Sequence, residues 1–373
     1  MSEKLRCGLI GCGWIAGAHA DAYKKLENAE LVAVADHTPA KAQAFCEAHG
    51  LTDVRIYPDH LSMLEAEKLD LVSVCTANAA HASCSIDALR RGVSVSCEKP
   101  MSVTLEEAEA MCRAAEESGA LLTVGFQPRY DANMRLVRET VQSGVLGKIY
   151  YVQTGGGRRR GIPTPFGTSF IEKKNAGLGA LGDIGCYSLD LVLNALGYPK
   201  PLTVSGYTSA YFGTDPAYYT VQGKPAEYAE KFTVDDFAAA FIRMEEGLVI
   251  DFRIAWAMNA DTTGDTLFLG TKGGLRVPST ECWAGGLDKP LILYYEEDGK
   301  QLSREIPLRP QNQDRFDRKI ADFAAAVAAS RRGEPFEVEC PGTQILRNQA
   351  IIDAIERSAR LGREVEVVLP EGF

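Results

Sequence analysis

Several residue groups in this 373-residue chain have types and spacings that could do chemistry. Gly11-Cys12-Gly13-Trp14-Ile15-Ala16 is a G-x-G-x-x-A turn. Gly11 would permit the tight turn, Gly13 would let backbone approach a pyrophosphate, and Ala16 is small enough for close helix packing. Asp36-His37 follows, Asp36 lying 25 residues after Gly11. That is near the distance at which an acid accepts from an adenosine ribose hydroxyl. No arginine comes next, and a carboxylate repels a 2′-phosphate, so NAD is expected rather than NADP. The same aspartate would also serve as a helix or turn cap.

Glu98-Lys99-Pro100 ends the run Val93-Ser94-Val95-Ser96-Cys97. A lysine at the carboxyl end of a buried strand stands where an open α/β sheet gathers ligand chemistry. Its pKa moves readily with burial and neighbouring cations, which suits proton transfer. Two ordinary charges on a solvated strand end would look the same. Pro100 allows a cis peptide at low cost. Asp183 and Tyr187 are four apart, and Asp190 is three further on. On a helix they share one stripe of an otherwise apolar segment and need partners or water. A structural hydrogen-bond group is the plainer alternative. Histidine narrows the choice of acid or base. His19, His37, His49, His60 and His81 are the five in the chain, and none follows residue 81.

The elements that must position these groups follow from periodicity. Strand-like runs at 6–11, 30–36, 54–57, 70–76, 93–97 and 121–126 alternate with helix-like runs. Thr104 and Glu107 can form a capping box on one of them. The alternation specifies a doubly wound parallel sheet of Rossmann type. Its strand ends bring Thr76, Asn78, Glu98 and Lys99 to the edge that carries the glycine turn. The expected cofactor set is Gly11, Cys12, Gly13, Trp14, Ile15, Asp36, His37, Thr76, Asn78, His81, Glu98, Lys99 and Gln127. Beyond 126 the pattern changes. Strand candidates at 202–212, 235–244, 247–257, 265–271, 274–277, 291–296 and 303–308 are joined by short turns, with helices near 180–196, 313–332 and 343–361. A C-terminal α+β domain with a large, mostly antiparallel open sheet follows. The expected domains are 1–126 and 127–373, and the second is expected to form a homodimer or homotetramer through its sheet.

The totals exclude other classes. A net charge of −10 argues against general nucleic-acid or anionic-membrane binding. No signal region and no apolar run long enough to span a bilayer is read, so cytoplasm is the expected location. Ten cysteines without zinc spacing read as reduced thiols acting as small hydrophobes, and no metal is expected. Arg158-Arg159-Arg160 is either a solvated loop or, through Arg160, a contact for an anionic or hydroxylated substrate. Trp256, Trp283 and the tyrosines of 211–228 read as core or interface.

Taken together, the glycine turn, Thr76-x-Asn78-x-x-His81, Glu98-Lys99-Pro100 and Asp183-x-Gly185-x-Tyr187 resemble the glucose–fructose oxidoreductase, inositol dehydrogenase and rhizopine-catabolism (Gfo/Idh/MocA) family over nearly the whole chain, through Arg363-Glu364-Val365-Glu366-Val367. The resemblance implies a nicotinamide-dependent oxidoreductase of secondary alcohols in sugars, sugar derivatives or cyclitols. It implies that Lys99 sits beside the nicotinamide and that Asp183 and Tyr187 contact substrate. Inositol-dehydrogenase-like members usually carry histidine where Tyr187 stands. Tyrosine is similar to the glucose–fructose oxidoreductase and aldose- or dihydrodiol-dehydrogenase branches. The glycine run before the aspartate is altered to Ala176-Gly177-Leu178-Gly179-Ala180. The expected mechanism has Lys99 and Tyr187 moving the proton and Asp183 orienting. Two alternatives stay open. One is a glycoside-cleaving enzyme that oxidises, eliminates and re-reduces with tightly held NAD. The other is a non-catalytic NAD- or sugar-binding regulator.

Overall fold

The computed structural model describes residues 4–165, 167–279, 286–311 and 314–372. Its chain divides into two compact units, Met1–Tyr130 with Asn312–Leu346, and Asp131–Gln311 with Arg347–Phe373. This differs from a single cut at 126/127, because the chain returns to the first unit after the second is largely built.

In the first unit, strands and helices alternate as β1 (Leu5–Ile10), α1 (Trp14–Lys24), β2 (Ala29–Ala35), α2 (Pro39–Ala48), β3 (Arg55–Tyr57), α3 (His60–Ala66), β4 (Leu71–Val74), α4 (His81–Leu89), β5 (Ser94–Cys97), α5 (Leu105–Ser118) and β6 (Leu122–Val124). The six strands pair in parallel in the order β3-β2-β1-β4-β5-β6. Helices cover both faces, so β4 and β5 are buried at every residue and read as unbroken runs rather than alternating ones. The order reverses between β1 and β4, and the crevice outside their carboxyl ends is where such sheets bind ligands.

The returning segment has a physical reason. Ile320, Phe323, Ala324 and Val327 of the helix Arg315–Arg331 pack with Leu5, Tyr23 and Leu71 in one buried cluster. Each large apolar side chain buried there contributes about 1.5–3 kcal/mol. Beyond it, the Cys340 carbonyl accepts from Val124 N at 3.1 Å and Thr123 Oγ1 at 3.0 Å, which caps the outer edge of β6.

The second unit is built on β7 (Ile149–Gly157), β8 (Pro201–Ser209), β9 (Phe237–Met244), β10 (Val249–Ala255), β11 (Thr266–Gly270), β12 (Gly273–Val277), β13 (Leu291–Glu297), β14 (Lys300–Ile306) and β15 (Val365–Glu366). They run in the order β14-β13-β12-β11-β7-β10-β9-β8-β15, and only β7 and β10 pair in parallel among the described strands. One face packs inward through Val204, Ala240, Ile242, Ile250, Phe252 and Phe268. The helix Cys186–Leu196 is buried along almost its whole length. By length and composition the stretch Lys173–Leu196 could cross a membrane, contrary to expectation, but 83% of its most apolar window is buried in the fold. It is a core helix.

Candidate active site

At the end of β1, Gly11 has φ +89°. A Cβ there would lie 2.8 Å from the Cys75 carbonyl oxygen, so the turn requires glycine for the protein's own sake. Gly13 differs. A Cβ on it would meet nothing nearer than the same oxygen at 3.8 Å. Gly13 is also the N-cap of α1 and supplies no side-chain cap. The first N–H groups of α1 therefore have room and valence for an anion, and the turn fits the pyrophosphate of NAD. Trp14 stands 68% exposed beside it, and Ile15 is half-buried. Asp36, at the end of β2, accepts from Cys12 N at 2.9 Å and Thr38 N at 2.9 Å, with the Lys41 ammonium at 3.3 Å. Burial opposes its charge, but those N–H groups and Lys41 outweigh it and hold the carboxyl below its ordinary value. It is an ionised acceptor tied to the glycine turn. His37 beside it is exposed. Thr76 and Asn78, after β4, are half-buried, Asn78 opening the single turn Asn78–Ala80.

The lysine turn lies on the same sheet edge, directly after β5. The Lys99–Pro100 peptide is cis, as the sequence allowed. Lys99 is half-buried, while the residues flanking it are buried. His81 is 1% exposed, with Nδ1 2.7 Å from the Pro100 carbonyl and Nε2 3.2 Å from that of Thr76. Glu98 is 5% exposed, and its Oε1 accepts from His19 Nε2 at 2.8 Å and from Lys319 Nζ. His81 and Glu98 thus hold the turn through protein partners. Gln127, in the turn Gln127–Tyr130 after β6, is buried as well. Burial opposes the charge of Glu98, but Lys319 and His19 overcome it and hold the carboxyl well below the carboxylate range. Burial and Lys319 push His19 down to about 4, so its ring is neutral at pH 7. Neither His19 nor Lys319 was among the residues singled out from sequence. Both interrupt apolar helix stripes: His19 between Ala16 and Tyr23, Lys319 between Phe316 and Phe323.

In the second unit, Asp183 lies in a π-helical turn, Leu181–Gly185, that leads into the helix Cys186–Leu196. The expected continuous α-helix is thus widened where the aspartate sits. Trp256 Nε1 donates to Asp183 Oδ2 at 3.0 Å, which makes the fully buried Trp256 a support for that carboxylate. Tyr187 is 5% exposed, one turn on. Asp190 accepts from Tyr198 Oη at 2.5 Å inside the core. Arg160 donates to the carbonyls of Arg159 and Met258 and to Asn259 Oδ1 at 2.6, 3.0 and 3.0 Å, with its guanidinium 5.0 Å from the Phe212 ring centre. Those contacts give it a loop-fixing place. Tyr218 and Tyr219 are buried and Tyr211 is exposed. Trp283 lies outside the described residues. The nine described cysteines are buried.

What fixes the Asp183 turn comes from the residues just before β9. Asp235 accepts from Gly179 N at 2.8 Å and Leu181 N at 2.7 Å, while its carbonyl accepts from Ala180 N at 3.0 Å. One residue, far along the chain, caps three successive N–H groups. A Cβ on Gly179 would lie only 1.8 Å from that carbonyl oxygen. Burial pushes the Asp235 carboxyl up to about 6 from 3.8, against the N–H groups of Leu181 and Gly179 and with help from Asp236. Between those values the folded chain holds more proton than the unfolded one. Its contribution to stability is therefore fully present below pH 3.8 and is lost as pH rises through about 6. Urea unfolding of wild type and Asp235→Asn across this range should show the wild type losing on the order of 3 kcal/mol relative to the variant. A constant difference would refute the assignment.

A family model described as "Oxidoreductase family, NAD-binding Rossmann fold" matches residues 5–126, and one described as "GFO/IDH/MocA C-terminal domain" matches residues 134–276. The chain is 30% identical to a D-glucoside 3-dehydrogenase of Escherichia coli, covering 98% of both chains. It is 34% identical to an inositol 2-dehydrogenase of Rhizobium meliloti over 40% of this chain and 44% of that one. Levoglucosan dehydrogenase, solved with NADH and levoglucosan, shares the fold at a TM-score of 0.81 with 21% identity, covering 98% of this chain and 100% of the other.

Proposed function

The chain belongs to the Gfo/Idh/MocA family of NAD-binding oxidoreductases acting on CH–OH groups, and we propose that it moves a hydride between NAD and a secondary alcohol of a sugar, glycoside or cyclitol. The observation that carries this reading is the half-buried Lys99 on the sheet edge that also presents the Gly13 cradle and Asp36. NAD, when bound, accepts or donates the hydride. The chain's own residues handle the rest. Lys99 and Tyr187 move the hydroxyl proton, and Asp183, held by Trp256, orients the substrate. Asp36 accepts from the ribose, and Trp14, Ile15, Thr76 and Asn78 line the cofactor edge. His81, Glu98 and Gln127 keep their places in the cofactor region as supports. Arg160 serves substrate recognition only indirectly, by fixing its loop.

A panel of sugars, glycosides and cyclitols incubated with NAD or NADP, followed by absorbance of the reduced cofactor, tests the proposal. Turnover of at least one class with NAD is expected. Preference for NADP would overturn the Asp36 assignment, and no hydride transfer despite tight NAD binding would favour the regulator. The D-glucoside-oxidising relative favours placing glycosides first in that panel. Oxidation of a ring carbon acidifies the neighbouring C–H and permits elimination of the aglycone. Aglycone release without net NADH would therefore identify the cleaving variant of the reaction.

We also place a homo-oligomer contact on the outer face of the nine-stranded sheet, where Tyr207, Phe241 and Tyr294 are 51%, 40% and 41% exposed. A monomeric mass by light scattering would refute it. The buried thiols suit the cytoplasm.

A further inference from the structure

The helix Arg315–Arg331 carries an observation that packing does not explain. Lys319 is 1% exposed on a helix whose Ile320, Phe323, Ala324 and Val327 pack into an apolar cluster. Replacing a buried ion pair by apolar residues is often neutral or stabilising, so stability alone does not call for this lysine. Its ammonium reaches Glu98 Oε1, the same oxygen that His19 approaches at 2.8 Å. His19 Nδ1 is 2.9 Å from Ser73 Oγ, which in turn is 2.8 Å from Tyr23 Oη. For His19 to donate to the ionised carboxylate, its neutral ring must carry the proton on Nε2, with Ser73 donating to Nδ1 and Tyr23 to Ser73. Lys319 Nζ lies 3.0 Å from the same Nε2, so Lys319, His19 and Glu98 form one cluster that ends on the carboxylate next to Lys99.

That carboxylate has little freedom. A Cβ on Gly125 would lie 2.8 Å from Glu98 Oε1, so the backbone of the next strand end closes one side. Glu98 N donates to the Val74 carbonyl at 2.9 Å. On the far side of Lys99, the Pro100 carbonyl is held by His81 at 2.7 Å. The lysine is thus suspended between two anchored neighbours.

We propose that Lys319 and His19 are positioning residues for proton transfer: through Glu98 they fix the backbone from which Lys99 reaches the reacting hydroxyl. The inference rests on the reading of Lys99 given above. Its consequence is that the returning helix is a working part of the catalytic apparatus and not only a cover for the sheet.

The test uses the full chain in three comparisons. Glu98→Gln/Lys319→Met removes both charges together, so neither is left buried alone. It should melt near the wild type and bind NAD within about threefold, while kcat falls about 10–10²-fold, the scale of a misplaced reacting group. His19→Leu removes the donor and leaves the ion pair, and it should show the same split between kcat and NAD affinity. His19→Gln restores a neutral donor and should recover most of the loss, which a merely structural role does not require. Lys99→Ala separates the two claims. If it is inactive while kcat of folded His19→Leu or of the double variant stays within about twofold of wild type, well short of the expected loss, the positioning role is overturned and Lys99 stands. If Lys99→Ala is near normal, the reading of Lys99 fails and the positioning role with it.

Discussion

Replacing Lys99 with alanine should lower turnover by about 10²–10⁴-fold, the usual scale for losing a general acid or base, with NAD affinity nearly unchanged. The second half of that expectation is what makes it specific. The glycine turn and Asp36 are organised by their own contacts, Asp36 to Cys12 N and Thr38 N, and none of these passes through the Lys99 side chain. Truncating it should therefore leave the cofactor edge intact. The first half depends on whether another group could take over. His19 and His81 are buried and committed to Glu98, Ser73 and backbone carbonyls. His49 and His60 are paired with Asp21 and Asp87 at 3.3 and 3.0 Å. His37 is exposed beside Asp36, and no histidine occurs after residue 81. A rescue of the alanine variant by added primary amines would strengthen the assignment. Steady-state turnover with NAD binding measured in parallel decides it, and near-normal turnover removes Lys99 from the mechanism.

Much of this was legible because it is local. A strand, a glycine turn and a helix in succession announce the cofactor edge, and Lys99 shows as a charge where a buried strand ends. The same holds for the second sheet, seven of whose nine described strands fall within a few residues of the runs that suggested them. What was hidden depends on pairs far apart in sequence. Lys319 meets Glu98 across more than half the chain, and Asp235 caps the Asp183 turn from just before β9. Neither partner advertises the other. The π-helical turn at Leu181–Gly185 leaves no compositional mark, since one extra residue per turn alters hydrogen-bond register and not residue type. Asp190 was hidden in the same way: helical spacing puts it on the side of Tyr187, and its partner Tyr198 stands beyond the end of the helix. The returning segment 312–346 also defeated a linear reading, because a domain boundary drawn once along the sequence has no place for a helix that comes back.

Gly11 and Gly13 should separate cleanly when each is given a side chain, because their glycines answer to different constraints. Gly11→Ala forces a Cβ into a left-handed conformation at φ +89° and to 2.8 Å from a backbone carbonyl oxygen. The cofactor-free protein should lose about 1–3 kcal/mol, the cost of strained backbone. Gly13→Val meets no protein atom nearer than 3.8 Å from its Cβ, at φ −80° that a valine adopts without strain. Thermal unfolding of the cofactor-free variant should therefore match the wild type. Its isopropyl group, however, stands where the pyrophosphate must come against the first N–H groups of α1. Losing even two of those hydrogen bonds to a charged ligand costs about 3 kcal/mol or more, so NAD affinity should fall at least about 10²-fold. Calorimetric titration with NAD, beside melting curves without it, reads both effects. A Gly13→Val protein that binds NAD normally would mean the pyrophosphate does not lie on this turn. A Gly13→Val protein that unfolds early in the absence of NAD would mean the glycine is there for packing after all.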